Sequence, residues 1–219
     1  MILSLPKNDL NEYVIKLIQV YFPKTNCIKQ EIVPKKIFNL ALERLEYCFS
    51  KIEISYYKKN KKIFFNHLNS DHMVIFLYFL SNTIWNELKT ETIPTKLFYL
   101  NKIMHGIDLF YSIKMPDIFM VVHPLGTVIG KANYKNYLVI YQNCTIGSSS
   151  GNYPTIGEKV ILYSKVSVLG KSKIFNNVII SSNSFLMNSL IPKNSVVFGQ
   201  EPDLVIKKNS NSMIDNFFC

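Results

Sequence analysis

Residues 156–199 read IGEKVILYSKVSVLGKSKIFNNVIISSNSFLMNSLIPKNSVVFG, with an aliphatic side chain at every sixth place: Ile156, Leu162, Val168, Ile174, Ile180 and Leu186. Four residues after most of these stands a small or medium side chain: Val160, Val166, Ser172, Val178 and Ser184. The same phase extends upstream through Val128, Tyr134, Ile140 and Ile146, accompanied by Ala132, Leu138 and Cys144. A period of six suits neither a helix at 3.6 nor a plain strand at 2. It suits a triangular coil whose flat sides each take six residues and turn one large aliphatic inward. Stacked coils pair their backbones at the ordinary inter-strand spacing of roughly 4.8 Å and bury an aliphatic ladder that no coil buries alone. The pattern predicts a left-handed parallel β-helix from about Val121 to Phe198, an exception to the right-handed crossover rule.

One break stands out. Ile146 and Ile156 are ten residues apart where six are required, so four extra residues leave the coil within Ser148-Ser149-Ser150-Gly151-Asn152-Tyr153-Pro154. A loop extruded from a regular solenoid is a place where function concentrates.

The first half has a helical texture. Leu10, Val14, Leu17, Ile18 and Tyr21 recur at helical spacing between Asp9 and Phe22. Pro34 suits the first turn of a second helix that carries Phe38, Leu42, Leu45 and Phe49. Glu53 to Phe65 fits a loop or a hairpin. Ser70 or Asp71 can cap an apolar helix from Met73 to about Leu88, and a further helix is expected from Thr95 to about Tyr111. The reading is α+β: a mainly helical domain over 1–115, a left-handed β-helix over 116–200, and a tail over 201–219.

Composition narrows the partners. The chain has 219 residues, 25 Lys and Arg against 15 Asp and Glu, and a formal charge of +10. Arg44 is the one arginine. Arginine supplies the bidentate contacts of base and phosphate recognition, so no nucleic-acid partner is expected. A basic surface still favours an anionic cosubstrate or an acidic membrane face. Cys27, Cys48, Cys144 and Cys219 are scattered without a CxxC pair, which suits free thiols. The start of the chain has no signal-peptide pattern and the run Met73 to Leu80 is far too short for a bilayer span. These features predict a cytoplasmic protein, with peripheral membrane contact as an option.

Three stretches resemble the serine acetyltransferase branch of the hexapeptide-repeat acyltransferases: His123-Pro124-Leu125-Gly126-Thr127-Val128-Ile129-Gly130, Gln142-Asn143-Cys144-Thr145-Ile146-Gly147, and the repeat block Ile156 to Gly199. The helix from Leu97 to Tyr111 resembles the last helix of that family's helical domain. The likeness covers roughly the last 120 residues. It implies transfer of an acetyl group from acetyl-CoA to a hydroxyl, with His123 at the position of the histidine that removes the hydroxyl proton. Imidazole, with an ordinary pKa near 6.5, suits that task at neutral pH. The resemblance also implies acetyl-CoA in a groove between subunits of a homotrimer, or of a dimer of trimers. Gly147, Ser164 and Ser182 match the coil positions that touch the cosubstrate, and Lys207 falls where a basic residue meets its phosphates. Without that likeness, the serines are coil corners and Lys207 a solvated charge.

The sequence also departs from that branch. The family's extruded loop carries Asp-Arg-His-Pro, whose arginine pairs with the serine carboxylate; here the matching residues are Gly151-Asn152-Tyr153-Pro154. The aspartate that precedes the family's histidine is Val122. Asn152 and Tyr153 are neutral hydrogen-bonding groups, which favours a carbohydrate hydroxyl as acceptor, on a capsule or lipopolysaccharide unit or its precursor. L-Serine O-acetylation is the alternative, and a non-catalytic β-helix scaffold is the alternative of another class. Asp117, six residues before His123, is a candidate to orient the imidazole or, equally, a helix-to-coil cap. Cys144 sits at an inward repeat position and reads as core. His67 and His72 are off metal-pair spacing and His105 is mid-helix, so no metal is expected.

Overall fold

The computed structural model describes residues 1–23, 33–210 and 213–219. Among the described residues of the first half there are four α-helices: α1 (Lys7–Tyr21), α2 (Lys35–Ser50), α3 (Ser70–Leu88) and α4 (Thr92–His105). Helices α1 and α2 each bury one stripe, Leu10, Val14 and Ile18 on the first and Phe38, Leu42, Leu45 and Phe49 on the second. Helix α3 is apolar on all sides and its residues from Asp71 to Ile84 are buried, as the central rod of the domain. Pro34 sits at the N-cap of α2, one place before the expected first turn. The segment left open between loop and hairpin contains a short antiparallel pair, Lys58–Lys59 with Lys62–Phe65, whose second strand also pairs in parallel with Ile2–Leu3. Arg44 is spent inside this domain: its guanidinium donates to Asn82 Oδ1 at 2.9 Å and Thr83 Oγ1 at 2.7 Å and lies over the Phe79 ring. Among the described residues, no helix is long and apolar enough to cross a membrane.

Two boundaries differ from the sequence reading. Helix α4 stops at His105, because Gly106 takes a left-handed φ of +64° and caps it. Ile107–Leu109 then pairs in parallel with Thr127–Ile129, so the first solenoid strand comes ahead of residue 116.

The solenoid has three faces. Face one stacks Phe119–Val122, Leu138–Tyr141, Val160–Leu162, Val178–Ile180 and Ser195–Phe198; face two stacks Ile107–Leu109, Thr127–Ile129, Thr145–Gly147, Ser167–Leu169 and Phe185–Met187; face three stacks Asn133–Tyr134, Thr155–Ile156, Lys173–Ile174 and Leu190–Ile191. All neighbours within these stacks are parallel. Ile140, Leu162 and Ile180 are register partners, as are Ile146, Val168 and Leu186, so the hexad residues stack in vertical ladders. Cys144 is buried among them. The ladder fails at one expected rung: Ile129, not Val128, is the partner of Ile146 and fully buried, while Val128 is exposed. The cause lies in the following corner, which is one residue short: Ile129 and Tyr134 are five positions apart where the hexad spacing needs six.

Beyond the last coil, Val205–Lys208 pairs antiparallel with Ser195–Phe198 and covers the open edge of face one. The tail then returns toward the helical domain, where Phe218 bridges Ile52 and the Cys219 N–H donates to Lys51 O at 3.0 Å.

Candidate active site

His123 opens the corner between faces one and two in the first coil. Val122 is the register partner of Tyr141, and Ile129 of Ile146. The first corner therefore holds His123-Pro124-Leu125-Gly126 where the coil below needs only Gln142-Asn143. Gly126 and Asn143 both take the left-handed conformation that turns the coil, and a Cβ on Gly126 would meet Asn143 Oδ1 at 2.3 Å. His123 is the extra residue at the front of this bulge. Its φ of +50° is left-handed. That conformation costs a Cβ-bearing residue about 1–2 kcal/mol and persists where surrounding bonds hold it. Here the His123 N–H donates to Asp71 Oδ1 at 3.1 Å, across from the first turn of α3.

The exposed imidazole borders a cleft of about 530 Å³ between the solenoid and the helical domain. Asp71, Tyr56 and Asn69 line one side, Met120, Val122 and Tyr141 the other, and Phe217 of the tail closes part of it. Asp71 is 4% exposed and accepts at Oδ2 from the Tyr56 hydroxyl at 3.2 Å. Burial, reinforced by the Asp71 carboxylate, pushes the Tyr56 phenol well up, so it remains a donor. The N-cap of α3 is Asn69, whose side chain accepts from the His72 N–H at 3.2 Å, rather than Ser70 or Asp71. Asp71 is thereby left to face the cleft. Its proximity to His123 is a tertiary fact with no local signal in the sequence.

Asp117 has other surroundings. It lines a second cleft with Lys114, Lys135 and Glu158, and it does not border the His123 cleft. Ser164 and Ser182 do share an edge with His123. By register they continue the column of Gln142 down the same corner, in the third and fourth coils, and their hydroxyls meet at 3.1 Å. Gly147 ends a strand of face two, at the opposite corner. Lys207 lies on the added antiparallel strand, with its amine 5.8 Å above the Phe198 ring.

The loop expected to project between Ile146 and Ile156 is a tight hairpin. Ser149 and Asn152 exchange backbone hydrogen bonds of 3.1 and 3.0 Å across Ser150 and Gly151, both with positive φ. The Asn152 amide donates back to Ser149 O and Ser150 O, so it holds the turn. Tyr153 is 45% exposed, with Lys131 Nζ 4.8 Å over its ring. This hairpin occupies the corner between faces two and three, whereas His123 occupies the corner between faces one and two. A single chain does not bring them together.

His72 and His105 are buried and neither lines the cleft, although the His72 ring stacks on Tyr56 at 5.8 Å; burial lowers each to a pKa of about 4. Among the described residues no group of three His, Cys, Asp or Glu side chains is gathered for a metal ion.

No protein-family model matches this chain. Over 116 residues it is 29% identical to the serine acetyltransferase of Synechococcus elongatus, covering 51% of this chain and 47% of that protein. Over 140 residues it is 26% identical to the serine acetyltransferase of Staphylococcus aureus, covering 62% of this chain and 64% of that one. These relatives are serine acetyltransferases. The matched stretch spans about half to two thirds of their length. Among solved structures, the serine acetyltransferase of Brucella abortus superposes with a TM-score of 0.70 at 15% identity, over 93% of this chain and 86% of that one. A serine acetyltransferase in complex with CoA gives 0.65 at 16% identity, over 78% and 73%. The serine acetyltransferase fold, helices followed by a parallel solenoid, is thus also the fold of this chain.

Proposed function

We propose that the protein transfers an acetyl group from acetyl-CoA to the hydroxyl of a small acceptor, L-serine being the acceptor best supported, with His123 as general base. The observation that carries this reading is an imidazole held in a left-handed bulge, at the mouth of a cleft, by a buried carboxylate. In the reaction, a ring nitrogen takes the hydroxyl proton while the oxygen attacks the thioester carbonyl. The tetrahedral adduct collapses, the carbon–sulfur bond breaks, and the imidazolium returns the proton to the departing thiolate. Backbone N–H groups at the coil corner are suited to the oxyanion.

The column of Gln142, Ser164 and Ser182 below His123 offers an extended cosubstrate a groove, at roughly 5 Å per coil. Gly147 and the Tyr153 hairpin belong to the next corner. A trimer, in which one subunit's first corner meets another's hairpin, joins the two halves. It also supplies a cation to the cleft, whose lining among the described residues includes the carboxylate Asp71 but neither lysine nor arginine. Lys131, held over Tyr153 in the hairpin corner, is our candidate partner for a substrate carboxylate.

The named relatives favour serine over the carbohydrate acceptor inferred from Asn152 and Tyr153, and the Asn152 amide is already engaged within its own turn. Release of CoA thiol, followed with L-serine, free sugars and oligosaccharides, tests the reading. Turnover is expected with serine at least tenfold above any sugar. A preference for sugars returns the acceptor to the carbohydrate class, and no thiol release with any alcohol leaves a non-catalytic solenoid.

A further inference from the structure

We infer that Phe217 is a specificity-determining wall of the His123 cleft, delivered by the C-terminal segment and limiting the cleft to compact acceptors. The inference rests on the acetyl-transfer reading above for its substrate, and on the tail's geometry for its cause. Beyond the antiparallel strand Val205–Lys208, Met213–Asn216 form a 3-10 turn. It is then fixed at both flanks of Phe217. Ile214 is 3% exposed and Phe218 is 5% exposed, with the Phe218 ring edge-on to Tyr137 at 5.5 Å. The backbone is fixed too: Glu53 N–H donates to Phe217 O at 2.8 Å, and Cys219 N–H donates to Lys51 O at 3.0 Å.

Between these anchors the Phe217 ring is only half-buried and faces the cleft, edge-on to Tyr141 at 6.5 Å. A phenyl ring offers an acceptor no hydrogen bond, so its influence is steric and desolvating. It shares the cleft lining with the polar groups Asp71 and Tyr56, and so limits the room a bound molecule has beside them. Residues 213–219 lie about 90 positions beyond His123, which is why the hexad reading treats them as a tail.

The test uses the full chain with Phe217→Ala and Phe217→Leu. The specificity constant for L-serine is compared with that for a bulkier amino alcohol, 2-amino-2-deoxyglucose. In parallel, carbethoxylation of His123 by diethyl pyrocarbonate is timed by mass spectrometry, which requires no turnover. The alanine variant is expected to shift the ratio toward the bulkier acceptor about tenfold, the scale on which apolar pocket walls discriminate. The leucine variant should fall between, and His123 labelling should quicken severalfold in the alanine variant. Should Phe217→Ala fail to fold, Phe217→Leu against wild type gives the same comparison. An unchanged acceptor ratio, or unchanged His123 labelling, overturns the inference. If wild type transfers acetyl to no alcohol, the acetyl-transfer reading falls by itself, and the labelling rates alone decide the role of Phe217.

Discussion

Asp71 couples the two halves of the molecule through one hydrogen bond, from the His123 N–H. Removing it by Asp71→Ala leaves a backbone donor in a part-buried site, which costs about 1–3 kcal/mol. The expected result in chemical denaturation is a loss in that range, together with a drop in acetyl transfer of at least tenfold, because the bulge that presents the imidazole relaxes. A loss of stability without any loss of transfer would confine Asp71 to folding. His72 and His105 make a separate prediction. Both have folded pKa values lowered by burial to about 4, against about 6.5 when unfolded. Such groups leave stability intact above pH 6.5 and withdraw it as pH falls toward 4, by up to ~3 kcal/mol for each. Denaturation midpoints measured across pH 7 to 4 should fall over that window, and His72→Gln should flatten the slope.

At the scale of elements, the ladder of face one is the stiffest prediction. Leu162, fully buried between Ile140 and Ile180, should cost about 2–5 kcal/mol on replacement by alanine, read from chemical denaturation. The thiols follow the same burial. Cys48 and Cys144 are buried, with pKa values raised by burial to about 12 and about 11, while Cys219 is exposed. Alkylation of the native protein should therefore mark Cys219 and spare the other two; Cys27 lies outside the described residues. The hexad ladder was legible because an inward aliphatic every six residues is a purely local pattern. It broke at Val128 because the inward residues Ile129 and Tyr134 stand five apart across the next corner, a shortening by one that a strict count of six misses. The end of α4 was legible in Gly106, yet Ile107 continued the helical spacing of Leu97, Leu100 and Ile103 and carried the expected helix past its cap. His123 stood out by its motif. Asp71, Tyr56 and Phe217 did not, since each reaches the cleft through long-range packing.

For the whole molecule, the His123 corner and the Tyr153 hairpin lie on different edges of one solenoid. A site that needs both must draw them from two subunits. Lys131→Ala is expected to raise the KM for L-serine about tenfold with little change in the KM for acetyl-CoA. If the proposed trimer forms, mixing inactive His123→Ala chains with Lys131→Ala chains should restore serine turnover, since some cleft then combines an intact half from each. Absence of recovery on mixing would place the cation within the same chain. The claim beneath all of this is that the imidazole of His123 moves the hydroxyl proton. The direct measurement is the rate of CoA release with saturating L-serine for His123→Gln, beside calorimetric binding of acetyl-CoA. The account predicts a fall in kcat of at least a hundredfold with acetyl-CoA affinity unchanged; turnover within threefold of wild type would contradict it.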